Sequence, residues 1–234
     1  MRRSPYLFGA TAVLAAIRPT SVADPFAPQR ERMVREQIES RGIRHAEVLR
    51  ALRVTPRHWF VPETLREMAY DDCPLPIGSS ATISQPYIVA LMSELLQPSK
   101  GQRILEVGTG SGYQAAILAQ LTKHVYSIEI IPDLADAARR RLAELGYSNV
   151  TVRQGDGYQG WPEQAPFDGI IVTAAPEEVP RALIDQLARG GRLVAPVGSA
   201  WGQELILLEK LPDGTIRQSP VAPVMFVPMK NGAR

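Results

Sequence analysis

Glu106-Val107-Gly108-Thr109-Gly110-Ser111-Gly112-Tyr113 joins an apolar run to a glycine turn and a helix start, with one acid at the seam. Ile104, Leu105 and Val107 predict a buried strand, and Gln114 to Leu121 (QAAILAQL) predicts the helix after the turn. The glycines fall between them, where a missing side chain permits positive φ and lets backbone approach a ligand. Gly108, Gly110 and Gly112 make GxGxG, whereas the dinucleotide fingerprint GxGxxG needs glycine where Tyr113 stands.

That spacing fits S-adenosylmethionine better than NAD. Glu106 at the strand end would reach the ammonium of the cofactor's methionine part, directly or through water, and would repel a pyrophosphate. Farther along, His124 to Glu129 (HVYSIE) predicts a second strand whose acidic tip can accept both ribose hydroxyls. A third candidate strand, Val150 to Arg153, precedes Gln154-Gly155-Asp156-Gly157, and Asp156 offers an acceptor suited to the adenine amino group. One acid alone is usually surface decoration, and a lone GxGxG is a weak signal. Three acids at successive strand tips, with Gly108, Thr109, Gly110, Gly112 and Gly157 in the turns, form a cofactor-binding constellation.

The rest of the chain supports this layout. Strands are predicted at 103–107, 124–129, 150–153, 168–173 and 192–197, with helices at 112–121, 132–145 and 179–188. Two more strands come near 203–210 and 224–228, Gly190-Gly191 reads as a helix stop with a tight turn, and Asp213-Gly214 reads as a turn. Such alternation predicts an α/β fold with a doubly wound, mostly parallel sheet and a C-terminal antiparallel hairpin. Ligands in such sheets bind outside the carboxyl ends of the strands, where all three acids fall. Upstream, Gln29 to Tyr70 carries helical patterning broken by Pro56 and Pro62, Leu75 to Pro86 reads as a loop, and Tyr87 to Leu96 reads as a helix. The expected organisation is one domain over 29–228, with N-terminal helices and a substrate loop (29–98) ahead of a Rossmann-like core (99–228).

Composition narrows the function. With 234 residues, 45% hydrophobic and 21% charged, the chain can bury one good core. The net charge of +2 is carried by residues 1–24, through Arg2, Arg3 and Arg18 against Asp24. The neutral remainder argues against a phosphate-tracking nucleic-acid groove. A single cysteine, Cys73, excludes an internal disulfide, and His45, His58 and His124 are scattered, so no metal is implied. Residues 1–23 resemble a secretory leader: Arg2-Arg3, an apolar run from Tyr6 to Ile17, and Ser21-Val22-Ala23 as a small-residue cleavage site. That run is too short to span a bilayer comfortably. S-adenosylmethionine is made in the cytosol, however, and Met33 is an alternative start. The expected location is the cytoplasm, with export as the alternative.

The segment after the fourth strand constrains the methyl acceptor. Amine and amide methyltransferases often place Asn or Asp, two prolines and an aromatic here, whereas this chain has Val172-Thr173-Ala174-Ala175-Pro176. No side chain in that stretch is suited to deprotonating nitrogen at neutral pH. The absence favours a nucleophile already ionised, such as a carboxylate, for which displacement needs alignment above all; alternatively a base lies elsewhere.

Leu75-Pro-Ile-Gly78, Ala81-Thr-Ile-Ser-Gln-Pro86, Glu106 to Tyr113, Gly155-Asp-Gly157 and Phe167 to Pro176 together resemble the protein-L-isoaspartate O-methyltransferase family, from about Met33 to Val227. Thr82 to Pro86 is the most specific element. The resemblance implies methyl transfer from S-adenosylmethionine to the free α-carboxylate of L-isoaspartyl residues, which arise at damaged Asn and Asp sites in proteins and peptides. The ester can close to a succinimide and reopen partly as normal aspartate, which is repair. By the same match Ser84 is the active-site serine, and Thr82 and Ile83 lie against the cofactor. A hydroxyl at Ser84 could hold the substrate carboxylate in line with the methyl, or Ser84 could cap the helix opening near Pro86, or both. Tyr87 and Val89 depart from the histidine-containing version seen in some relatives.

Overall fold

A computed structural model describes residues 24–199 and 201–232; the leader-like segment 1–23 lies outside them. A short hairpin, β1 (Leu75–Gly78) with β2 (Ala81–Ile83), stands apart from a seven-stranded sheet that positions the site. The parallel part of that sheet comprises β3 (Arg103–Val107), β4 (His124–Glu129), β5 (Val150–Gln154), β6 (Phe167–Val172) and β7 (Leu187–Ser199). Its antiparallel end comprises β8 (Gly202–Lys210) and β9 (Ile216–Val224), and the strand order is β5-β4-β3-β6-β7-β8-β9. β3 sits centrally, with all but Arg103 of its residues buried, as its apolar run requires for a strand covered on both faces. Chain order reverses between β3 and β6, so a crevice opens at their carboxyl ends.

In front of the sheet lie α1 (Ala27–Arg32), whose helix continues as wider π turns over Met33–Ile38, then α2 (Ala46–Val54) and α3 (Pro86–Leu96). Three further helices come after strands: α4 (Tyr113–Ala119), α5 (Pro132–Glu144) and α6 (Arg181–Gln186). All seven residues of α4 are buried. The apolar faces of the N-terminal helices, including Met33, Ile38, Val48 and Leu52, join Ile104, Tyr113 and Ile117 in one core. A second core on the other sheet face contains Leu105, Val107, Phe167, Ile170 and Leu193.

Three local expectations need correction. The Leu75–Pro86 stretch is no plain loop, because it holds the β1–β2 hairpin, turned by Ser79 and Ser80 at φ 53 and 58. That left-handed pair is the backbone a two-residue hairpin turn demands, and serines occupy it instead of the usual Asn-Gly. Gly190-Gly191 lies inside β7, where the pairing with β6 slips between Phe167 and Gly169, so the glycines accommodate a bulge. The last strand is Ile216–Val224, not 224–228; Pro220 and Pro223 mask it in sequence and are tolerated because β9 is the sheet edge.

Candidate active site

The glycine turn leaves β3 with Gly108, Gly110 and Gly112 all at positive φ (100, 51 and 86). At Gly108 a side chain is excluded by packing as well: a Cβ would lie 2.4 Å from Thr173 Oγ1. Gly110 differs, because an added Cβ would meet only Ile77 Cδ1, at 3.4 Å, and open space otherwise. Its backbone faces a cavity of about 260 Å³ at the switch point.

Glu129, at the tip of β4, lines this cavity and is 5% exposed. Gly110 N donates to its Oε2 at 2.7 Å and Ile131 N to its Oε1 at 3.0 Å, so two backbone amides fix the carboxylate. Thr109 also lines the cavity, and its hydroxyl bonds the Ser127 hydroxyl at 2.6 Å.

Glu106 does not face the cavity. Strand pleating puts it on the opposite side of β3 from Val107, which does line it. The Glu106 carboxyl is fully buried, accepts the Ser127 hydroxyl on Oε2 and leaves Oε1 without a partner. Burial pushes its pKa up to about 8; the Ser127 hydrogen bond pulls it down and the Glu129 charge pushes it up further. Instead of touching a cofactor ammonium, Glu106 anchors a buried chain through Ser127 to Thr109 in the turn. Asp156 also departs from expectation. Its Oδ1 accepts Tyr158 N at 2.9 Å and caps the turn at 157–159, while Gly157 supplies the cavity wall.

Thr82, Ile83 and Ser84 line the cavity from the opposite side, carried there by β2 and the chain entering α3. No side chain caps α3, whose N-cap position is Gln85, so the capping alternative for Ser84 has no hydrogen bond behind it. Gln85 turns away and donates from Nε2 to Asp72 Oδ1 at 2.8 Å. Thr173 donates its hydroxyl to the carbonyls of Gly108 at 2.6 Å and Val107 at 3.1 Å.

The sequence reading missed the C-terminal strap. Val227 to Lys230 line the cavity, pinned alongside Ala175 by Ala175 N donating to Val227 O at 2.9 Å and Met229 N donating to Ala175 O at 2.8 Å. The apolar run Phe226-Val227-Pro228-Met229 was its only sequence signal. Trp161 lies away from the cavity and packs edge-on against Tyr126, with ring centroids 5.5 Å apart. Among the described residues no cluster of His, Cys, Asp and Glu could hold a metal.

The cavity fits the expected cofactor: an open glycine cradle, a fixed carboxylate for hydroxyls, and apolar Ile83, Ile130 and Met229 for a ring. Fold and site together define an S-adenosylmethionine-dependent methyltransferase. Comparison with known proteins narrows the class. The family model for protein-L-isoaspartate(D-aspartate) O-methyltransferase matches residues 28–234. A Synechococcus protein-L-isoaspartate O-methyltransferase is 55% identical over 219 residues, spanning 91% of this chain and 89% of the relative. One from Methanoculleus marisnigri is 54% identical over 207 residues, spanning 88% and 94%. A solved protein-L-isoaspartate O-methyltransferase superposes with TM-score 0.78 at 30% identity, over 86% of this chain and 66% of that one. A Plasmodium falciparum structure of the same description, in complex with S-adenosyl-L-homocysteine, gives TM-score 0.74 at 26% identity, over 86% and 98%. The chain belongs to the protein-L-isoaspartate O-methyltransferase family.

Proposed function

We propose that the chain carries out its family's reaction at Ser84, where the cofactor cavity meets a second cavity that also contains this residue. The reaction is methyl transfer from S-adenosylmethionine to the free α-carboxylate of an L-isoaspartyl residue in a damaged protein or peptide, the first step of its repair. When bound, the cofactor supplies an electrophilic methyl on a sulfonium. The protein's own residues bind and align. Gly108 and Gly110 bring backbone against the cofactor, Glu129 accepts ribose hydroxyls, and Thr82, Ile83 and Gly157 provide wall. Gly112, expected beside them, lies outside the cavity lining and turns the chain against Leu142 and Ala138 of α5. Ser84 donates its hydroxyl to one oxygen of the substrate carboxylate and leaves the other in line with the methyl. Glu106 acts through Ser127 and Thr109 to hold the turn, and Asp156 holds the Gly157 corner.

The observation that carries this reading is the position of Ser84 at the junction of the two cavities, free of a capping bond. Paired peptides differing only in an isoaspartyl or aspartyl linkage, offered with labelled S-adenosylmethionine, test it. Methyl ester should form on the isoaspartyl peptide; ester on the aspartyl peptide alone, or on neither, overturns the assignment.

The neutral charge of residues 25–234 supports a protein substrate over nucleic acid. No helix among the described residues is long and apolar enough to cross a membrane. The cytosolic supply of S-adenosylmethionine supports a cytoplasmic location. N-terminal sequencing of the native protein tests this, and a start at Asp24 would show export.

A further inference from the structure

The second cavity, about 470 Å³, shares Thr82, Ser84, Thr173 and Val227 with the first. Beyond them its wall comes from Pro74, Gln85 and Ile88 on one side and from 223–226 on the other, with no acidic or basic side chain among the described residues. Met225 in that wall is 91% exposed. Its backbone is nevertheless fixed: Gln203, paired with Val224, donates from Nε2 to Phe226 O at 3.0 Å and accepts Phe226 N on Oε1 at 2.6 Å. At the same end of the sheet the β7–β8 hairpin tip presents Trp201, 98% exposed. Exposed apolar side chains scattered singly need no explanation, but a large one held in the wall of an uncharged cavity, with a second at the same end of the sheet, marks a surface that meets something apolar.

Continuity with the active site identifies the occupant. The first cavity is taken up by the cofactor's cradle and strap, so polypeptide held at Ser84 by its isoaspartyl carboxylate must leave through the second. We propose that this cavity, with Met225 at its rim, receives the residue adjacent to the isoaspartyl site, and that the chain prefers an apolar neighbour there to a charged one. An apolar side chain gains by leaving water in such a wall, whereas a charged one is desolvated without a partner. This preference rests on the family reaction at Ser84.

Isoaspartyl peptides carrying Leu, Lys or Glu on the N-terminal or C-terminal side of the damaged residue test it with the full chain. On one of the two sides kcat/KM should be roughly 10-fold higher for Leu than for Lys or Glu. Met225→Glu should abolish the Leu advantage and rank Lys above Glu on that side. Equal kcat/KM for all three residues on both sides, or an unaltered ranking in the variant, overturns the proposal while leaving methylation intact. Methylation of none of the isoaspartyl peptides would overturn the family reaction instead.

Discussion

Replacing Glu106 with glutamine should remove a pH-dependent loss of stability that the wild-type fold carries. The carboxyl is fully buried with one oxygen unpartnered, and its pKa stands at about 8 against an ordinary 4.5. A pKa raised on folding means that the native state holds the proton more tightly than the unfolded chain. The resulting stabilisation is fully present below pH 4.5, fades as pH rises, and is gone above about pH 8. At about 1.4 kcal/mol per unit, the interval corresponds to a loss of a few kcal/mol, with ~5 kcal/mol as the ceiling. Glutamine keeps the shape and an acceptor for the Ser127 hydroxyl but cannot ionise. Urea unfolding of both proteins at intervals from pH 5 to 9 should therefore show the variant gaining on the wild type as pH rises, then a constant difference. Parallel curves, or a wild type that gains on the variant, would refute the reasoning.

Ser84→Ala should lower kcat by roughly 10- to 100-fold through lost alignment, with the S-adenosylhomocysteine Kd kept within about twofold by calorimetry; unchanged turnover would strip Ser84 of its role. Glu129→Ala removes the acceptor for two backbone amides and the proposed acceptor for the ribose, so the same calorimetry should show roughly 10-fold or greater weakening. Gly108→Ala forces a side chain into positive φ and onto the Thr173 hydroxyl, which should destabilise by ~2–4 kcal/mol in urea. Adding Thr173→Ala should recover part of that loss, and no recovery would place the strain in the backbone alone. In the Glu106→Gln background, kcat/KM should be flat from pH 5.5 to 8, because the substrate carboxylate, with a pKa of about 3.5, is ionised throughout; a rising limb near neutrality would reveal a general base.

The elements legible in sequence were those whose burial sets their pattern. β3 and β6 are covered on both faces and read as apolar runs, and the glycines between β3 and α4 are required by backbone geometry that few other residues adopt. The β1–β2 hairpin escaped because Pro76, Gly78 and two serines have loop composition, and β9 escaped because prolines are tolerated at an edge. The strap was illegible for another reason: its pairing with Ala175 is long-range, and no local period encodes it. Glu106 was found as a residue and misread in direction. A strand-tip acid two positions before a glycine is recognisable in sequence, but which face it takes depends on the pleat of a strand whose register only the sheet fixes.

That direction bears on the chemistry. Around Ser84, four groups with acceptor oxygens are committed elsewhere. The Thr173 hydroxyl donates to two backbone carbonyls, Glu129 accepts two backbone amides, Asp156 caps its own turn, and Glu106 faces away beneath the glycines. None of these four stands ready to take a proton from a neutral amine or amide, whereas a carboxylate arrives ionised and needs only to be held. The apolar Thr173 to Pro176 segment suggested this selection by what it lacks. The structure adds that Glu129 and Asp156 hold backbone amides while Glu106 holds the Ser127 hydroxyl, which supports the proposal that the methyl acceptor is chosen by geometry at Ser84.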